Sequence, residues 1–112
     1  TFKEVQEKVS NLIKGKIIVG HSLKNDFQAL MLTHNKRDIR DTCLYKPLRP
    51  HNSKSYPSLK SLATRILDRE IQSLAHCSIE DARSCLDLYK KFRARWEKDM
   101  ALNMYRNKKT GK

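Results

Sequence analysis

The sequence predicts an α/β fold in which amphipathic helices pack on a mixed sheet that has more strands than this chain supplies. Apolar residues recur at helical spacing in four segments, whereas only two short apolar runs have the length and composition of buried strands. Two strands make a poor sheet by themselves, and four helices need a wider surface to cover their apolar faces. We therefore expect the first strands of the sheet to come from residues before Thr1 or from another chain.

The first half of the chain alternates helix and strand. Apolar spacing predicts a helix over 2–14, and Gly15 is a natural stop. The β-branched run 17–19 predicts a buried strand, and a second helix is expected from about Ser22. Residues 39–43 predict a second short strand, since Ile39, Asp41 and Cys43 would share one face.

The second half begins with a loop and continues with helices. Residues 45–57 contain all three prolines and predict a basic loop, with Lys46, Arg49 and Lys54 as candidate phosphate contacts. Ser58 is a plausible N-cap for the helix that follows it. Apolar spacing then predicts a long helix over 78–98, on which Phe92 and Trp96 are core anchors. We expect residues 1–98 to form a partial domain and residues 99–112 to be a basic, flexible tail.

The charge of the chain is strongly positive and unevenly distributed. The formal net charge is +12, and two basic segments, residues 36–60 (net +5) and 90–112 (net +7), flank an acidic segment, residues 61–89 (net −2). Basic segments of this kind suit a polyphosphate partner, because each Lys or Arg that neutralises a phosphate releases counterions. Charge alone favours nucleic acid, and a merely cationic surface remains the alternative.

Cysteine use and hydropathy limit the protein class. The chain has three cysteines and no C-x-x-C pair, which is typical of reduced thiols in an intracellular compartment and does not fit a zinc site. Cys85 is expected to pack as a small apolar residue. No segment approaches the roughly 20 apolar residues that a membrane span requires, so we expect no membrane partner.

Two segments carry residues suited to chemistry. The first runs from Gly20 to Asp26, where a strand leads into a helix, which is where ligands bind in open α/β sheets. By position alone, Asp26 could instead be a structural residue whose negative charge interacts favourably with the positive N-terminal end of a helix, an effect worth about 0.3–1 kcal/mol. His21 in the same segment has the alternative of an ordinary packed histidine.

The second segment places His76 five residues before Asp81, at the start of the long helix. A carboxylate for a divalent metal and a histidine for a water proton are groups that a hydrolase uses. The competing interpretation is structural, because Ser78 and Asp81 have the spacing of a capping box. Spacing alone leaves both open.

Taken together, the motifs resemble those of the DEDDh 3′-to-5′ exonuclease family, which has a ribonuclease H-like fold, and are closest to its RNA exonuclease 4 branch. The segment 17–21 with Asp26 resembles the second motif of that family, and His76 with Asp81 resembles its third, H-x-x-x-x-D. Residues 39–42 and 57–63 are similar to the Asp-Thr strand and the helix that follows it. The similarity runs from about residue 2 to residue 96. No D-x-E precedes the second motif, where the first strand of the family would lie; the D-x-E at residues 68–70 follows the segment 57–63 instead. The resemblance thus implies that a missing N-terminal half completes the domain.

This resemblance implies a mechanism and a set of site residues. Asp26 and Asp81 would be ligands of a two-metal Mg²⁺ or Mn²⁺ site, and His76 would be the general base. His21 and Asp41 would support these residues without binding the metal ions. The implied product is a nucleoside 5′-monophosphate from the 3′ end of single-stranded RNA, with ribosomal RNA processing in the nucleus, in particular the nucleolus, as the expected setting. The chain as given is expected to be inactive alone.

Two other functions remain open at this point. A non-catalytic basic RNA-binding or ribosome-assembly module would use the same basic segments without needing Asp81. A DNA-directed exonuclease of the same family would use the same chemistry on the other polymer, because contacts to the 2′-hydroxyl cannot be recognised from this sequence.

Overall fold

A computed structural model describes residues 1–50, 55–71 and 78–109. Its helices are α1 (Phe2–Ile13), α2 (Leu23–Ala29), α3 (Leu59–Leu67) and α4 (Ser78–Lys109), and its strands are β1 (Ile18–Gly20) and β2 (Ile39–Asp41). The four predicted helices and two predicted strands are therefore found in the predicted order, and β1 is shifted by one residue. Within the described ranges, none of the helices combines the length and the hydropathy of a membrane span.

Local sequence explains where the first helix begins and ends. Thr1 and Glu4 form a capping box in which the Glu4 N–H donates to Thr1 Oγ1 at 3.2 Å and the chain amino group donates to the Glu4 carboxylate. The helix ends at Ile13, and Gly15 then adopts a φ of +71°, which a residue without Cβ tolerates. The chain can thereby turn directly into β1.

The two strands form a parallel pair, with Ile18 opposite Ile39 and Gly20 opposite Asp41. Parallel strands need a crossover connection, and α2 supplies it. Gly20 leaves room for the Leu23 side chain at the end of β1, because a Cβ at this position would lie 2.5 Å from Leu23 Cδ2 and would displace that side chain. The carboxyl ends of both strands thus meet at one edge, directly beside the start of α2.

The core lies between α3, α4 and the segment after β2. Leu48, Leu62 and Leu88 are fully buried, and the ring of Trp96 stacks on Tyr45 with a centroid distance of 4.0 Å. Ser58 caps α3, since its Oγ accepts from the Ser61 N–H at 3.0 Å. The predictions that Ser58 is an N-cap and that Phe92 and Trp96 are core anchors are confirmed.

The predicted end of the last helix at residue 98 is wrong. Helix α4 continues to Lys109, and two residues beyond the predicted end contact the core. Asp99 accepts a hydrogen bond from the Tyr45 hydroxyl at 2.6 Å, and Met100 packs against the cluster around Trp96. The charge of this segment favoured a flexible tail, but tertiary contacts and residues of good helix propensity continue the helix.

Candidate functional site

The candidate site lies at the edge where both strands end. His21 follows β1 directly, Asp41 is the last residue of β2, and Asp81 lies in the first turn of α4, which packs on β1. The negative charges of Asp41 and Asp81 both act on the His21 ring, so the three side chains form one electrostatic group. We call these three residues the strand-end cluster.

Asp41 is an anchor for the surrounding backbone. Its Oδ1 accepts from the N–H groups of Ser22 and Cys43, and its Oδ2 accepts from the N–H of Leu23, each at 2.9 Å. These bonds satisfy backbone donors at the start of α2, which a helix cannot pair internally. The carboxylate is buried and fully occupied by backbone donors, so it acts as a strand-end acceptor that fixes α2 to β2.

His21 is held by the adjacent strand end. Its Nδ1 lies 2.8 Å from Oγ1 of Thr42, whose hydroxyl also lies 3.1 Å from the Gly20 carbonyl oxygen. Burial lowers the pKa of His21 below its usual value, against the opposing effects of Asp41, hydrogen bonding to the Pro57 backbone and Asp81. The ring is therefore mainly neutral at physiological pH.

Asp81 differs from Asp41 in that its carboxylate is not engaged. It is half-buried, and within the described residues no hydrogen bond or ion pair involves its side chain. Because α4 already includes Ser78, the predicted capping box of Ser78 and Asp81 is wrong. The carboxylate oxygens of Asp81 can therefore accept an external ligand.

Asp26 lies in the opening turns of α2 and is exposed. Its carboxylate has no partner among the residues that the structure describes. No group of three or more His, Cys, Asp or Glu side chains in the described ranges is arranged to hold a metal ion. The described part of the chain thus offers two carboxylates without partners, each in the first turn of a helix, and not a complete ligand set.

The remaining predicted residues have mixed outcomes. His76 and Lys54 lie outside the described residues. Lys46 is exposed in a 3-10 turn, and the Arg49 guanidinium carbon lies 4.6 Å from the centroid of the Tyr56 ring. The basic loop therefore presents cationic groups, of which Arg49 is already held against an aromatic side chain.

The contacts of the Thr42 hydroxyl and the surroundings of the Cys85 thiol were not predicted from the sequence. Burial raises the pKa of the Cys85 thiol to about 11, and the Thr42 hydroxyl lies 3.9 Å from its sulfur atom. The thiol thus stays protonated at neutral pH and is unsuited to bind a metal or attack a substrate. The prediction that Cys85 packs as a small apolar residue is confirmed, since it is buried beside the strand-end cluster.

The fold of this chain is that of the C-terminal part of a ribonuclease H-like exonuclease domain. The Pan2 pseudoubiquitin hydrolase-RNA exonuclease module of Saccharomyces cerevisiae in complex with AAUUAA RNA matches with a TM-score of 0.71 and 34% identity. That match covers 98% of this chain and 18% of the Pan2 chain. No family model matches the sequence.

Within this class the chain is a homologue of the RNA exonuclease 4 proteins, which confirms the resemblance noted in the sequence. RNA exonuclease 4 of Mycosarcoma maydis is 43% identical over 99 residues, which cover 87% of this chain and 26% of that protein. The Saccharomyces cerevisiae protein of the same name is 46% identical over 99 residues, covering 88% of this chain and 34% of that protein. The chain thus spans only about a quarter to a third of these curated relatives.

Proposed function

We propose that this chain is part of a DEDDh-type exoribonuclease that removes nucleoside 5′-monophosphates from the 3′ end of single-stranded RNA. The observation that carries the proposal is the contrast between the carboxylates at the strand-end edge. Asp41 accepts three backbone hydrogen bonds, whereas the carboxylate of Asp81, which acts on the same His21 ring, has no hydrogen-bond or ion-pair partner among the described residues. The names of the homologous proteins, RNA exonuclease 4, support the same function.

Asp26 and Asp81 would hold a divalent metal ion. Their donor chemistry fits Mg²⁺ or Mn²⁺, which prefer carboxylate oxygens, and the protonated Cys85 thiol nearby does not compete for such an ion. When bound, two such ions would neutralise the scissile phosphate and favour ionisation of the attacking water. Two carboxylates do not complete this site, so further ligands, a D-x-E pair, would come from the part of the domain that this chain lacks.

His76 would take the proton from the attacking water, because a histidine with an ordinary pKa near 6.5 can accept a proton at neutral pH. Asp41 and His21 would act as positioning residues. Asp41 ties the start of α2, and with it Asp26, to the end of β2. His21, fixed by Thr42, would keep the space beside Asp81 polar.

RNA would reach this edge along the basic loop. Lys46, Arg49 and Lys54 would contact phosphates, which gives affinity without sequence choice. The Pan2 module that resembles this chain is known in complex with RNA, which supports single-stranded RNA as the substrate class. We extend the proposal to ribosomal RNA processing in the nucleolus, in line with the RNA exonuclease 4 branch.

A cleavage assay tests this proposal. The chain is joined to an upstream segment that carries D-x-E and is incubated with 5′-labelled single-stranded RNA and Mn²⁺. We expect a ladder of 3′-shortened products from the joined protein and none from the 112-residue chain alone. Asp81→Asn should abolish the ladder, with a rate loss of at least about 100-fold, because a metal ligand is removed.

Asp87→Asn is the matched control, because Asp87 lies on the same helix but pairs with Arg69 at 2.7 Å and is not part of the strand-end cluster. It should leave the cleavage rate within about two-fold of the parent. A ladder that persists in Asp81→Asn, or an equal loss in both variants, would count against the proposed site.

The net charge of +12 favours one alternative, a basic RNA-binding module without catalysis. That module would bind RNA with a steep salt dependence and would give no ladder after the D-x-E segment is restored. Repeating the assay with single-stranded DNA of the same sequence distinguishes the proposed exoribonuclease from the second alternative, a DNA-directed exonuclease.

A further inference from the structure

We propose that Tyr56, backed by Arg49, is a stacking surface for a nucleobase of the RNA that enters the strand-end cluster. This inference rests on the proposed function and names a contact that it does not require. The ligand class is a nucleobase of any identity near the 3′ end of the strand.

The first observation is an exposed aromatic ring with one face already covered. Tyr56 is 61% exposed, and the Arg49 guanidinium lies over its ring at 4.6 Å. An arrangement of this kind is a cation–π contact, which orients the ring. Since one face is covered, an exposure this high leaves the opposite face open to solvent. An open aromatic face held in place is the feature on which unpaired bases stack.

The second observation is the state of Arg49. Its Nε is buried without a hydrogen-bond partner, and no carboxylate among the described residues forms an ion pair with it. Its positive charge is therefore not neutralised within the described part of the molecule. A phosphate next to a stacked base would supply the missing negative charge.

The third observation places the ring beside the candidate site. Tyr56 precedes Pro57, which restricts its backbone to extended conformations, and Ser58 caps α3 immediately afterwards. Pro57 is buried, and its backbone lies near enough to the His21 ring of the strand-end cluster to raise the pKa of that ring. Tyr56 is thus the neighbour of a residue that lies close to the cluster, and its backbone is restrained on the C-terminal side.

Base stacking by Tyr56 would suit an enzyme that shortens RNA one nucleotide at a time. Each cycle brings a new base to the same place, and stacking accepts every base because each has an aromatic face. Larger purine faces should overlap the ring more fully than pyrimidines. We therefore expect tighter binding of RNA that ends in purines.

The test compares binding of two RNAs to the 112-residue chain, so that it does not depend on cleavage. One is a fluorescein-labelled oligoadenylate, and the other is the same strand with its two 3′-terminal nucleotides replaced by abasic ones. Fluorescence anisotropy measures the two dissociation constants, and their ratio isolates the contribution of the terminal bases from that of the phosphates.

We expect the intact strand to bind between about five-fold and about 100-fold more tightly than the abasic strand. Tyr56→Ala should reduce this ratio to near one, and Tyr56→Phe should keep it. Leu44→Ala is the matched control, since Leu44 is a large side chain with a similar exposure of 52% and has no aromatic ring on which a base could stack. Because Tyr56 and Leu44 are both exposed, neither change removes a core contact.

The possible outcomes separate the two proposals. An unchanged ratio in Tyr56→Ala, or an equal loss in Tyr56→Phe, overturns the stacking surface and leaves the proposed exonuclease intact. Failure of the unaltered chain to bind either RNA overturns the stacking surface, whereas the proposed exonuclease is then judged by the cleavage assay alone.

Discussion

The α3–α4 core and helix α1 are both built from amphipathic helices, but they differ in whether the apolar faces are buried. Helices α3 and α4 bury their apolar faces against each other, around Leu62, Leu88 and Trp96. No residue of α1, which is described throughout, is buried, and Phe2, Val5 and Leu12 are each more than half exposed. Periodicity therefore predicts the helix in both places but does not reveal whether its face is covered.

A polar contact joins α1 to the segment that follows α2. The Gln6 side-chain amide donates to the Leu30 carbonyl at 3.0 Å, beyond the end of α2. By comparison, a buried aromatic group joins α4 to the segment after β2. This difference predicts that changes in the α3–α4 core cost stability and that changes on the α1 face do not.

The largest expected effect is that of Trp96→Ala. Trp96 is 3% exposed and contacts the rings of Tyr45 and Tyr89, so its removal leaves a cavity and two unsupported aromatic side chains. We expect the free energy of unfolding to fall by about 3–5 kcal/mol, measured by urea denaturation. A loss below about 1 kcal/mol would mean that the α3–α4 core is not the stabilising part of the fold.

An intermediate effect is expected for Glu97→Gln, which breaks an ion pair between β2 and α4. The buried guanidinium of Arg40 donates two hydrogen bonds to Glu97, at 2.7 and 2.9 Å, and Tyr89 adds a third. The variant should lose about 1–2 kcal/mol at pH 7, less than for a fully buried pair because Glu97 is partly exposed.

The pH dependence of this loss has a definite sign. Hydrogen bonding from Arg40 lowers the pKa of Glu97, so the ionised carboxylate stabilises the fold at pH values above its ordinary pKa of about 4.3. The difference between the parent and Glu97→Gln should therefore stay constant from pH 7 to about pH 5 and shrink as the pH falls further. Glu70→Gln, a change at an exposed carboxylate outside this ion pair, is the control for the loss of one negative charge.

Local signals in the sequence predict most of the fold. The run 17–19, the cap at Ser58 and the anchor Trp96 each depend on neighbours within a few residues or on a regular period, and each is found close to where it is predicted. Apolar spacing predicts the buried face of α4 less accurately. Ile79 fits the helical spacing of apolar residues but is 64% exposed, whereas the polar Ser84 is buried and accepts a hydrogen bond from Arg69.

The candidate site is harder to predict because its contacts are not local. The role of Asp41 depends on N–H groups 18 and 19 residues earlier in the chain, which become its neighbours only after β1 and β2 pair. Spacing alone suggests a cap for Asp81, but the start of α4 at Ser78 leaves that carboxylate unengaged. The resemblance to a nuclease family identifies both residues, and only the folded structure distinguishes the engaged carboxylate from the unengaged one.

The smallest expected effect is that of Leu12→Ser on the α1 face. Leu12 is 57% exposed and shares this face with Phe2 and Val5, so a polar residue there removes little buried apolar area. We expect the free energy of unfolding to change by less than about 0.5 kcal/mol, and we expect less self-association in sedimentation, because exposed apolar faces promote contact between molecules. A loss above about 1 kcal/mol would show that this face is covered in solution. The difference in burial between α1 and the α3–α4 core would then reflect a missing partner surface for α1 and not a difference between the helices themselves.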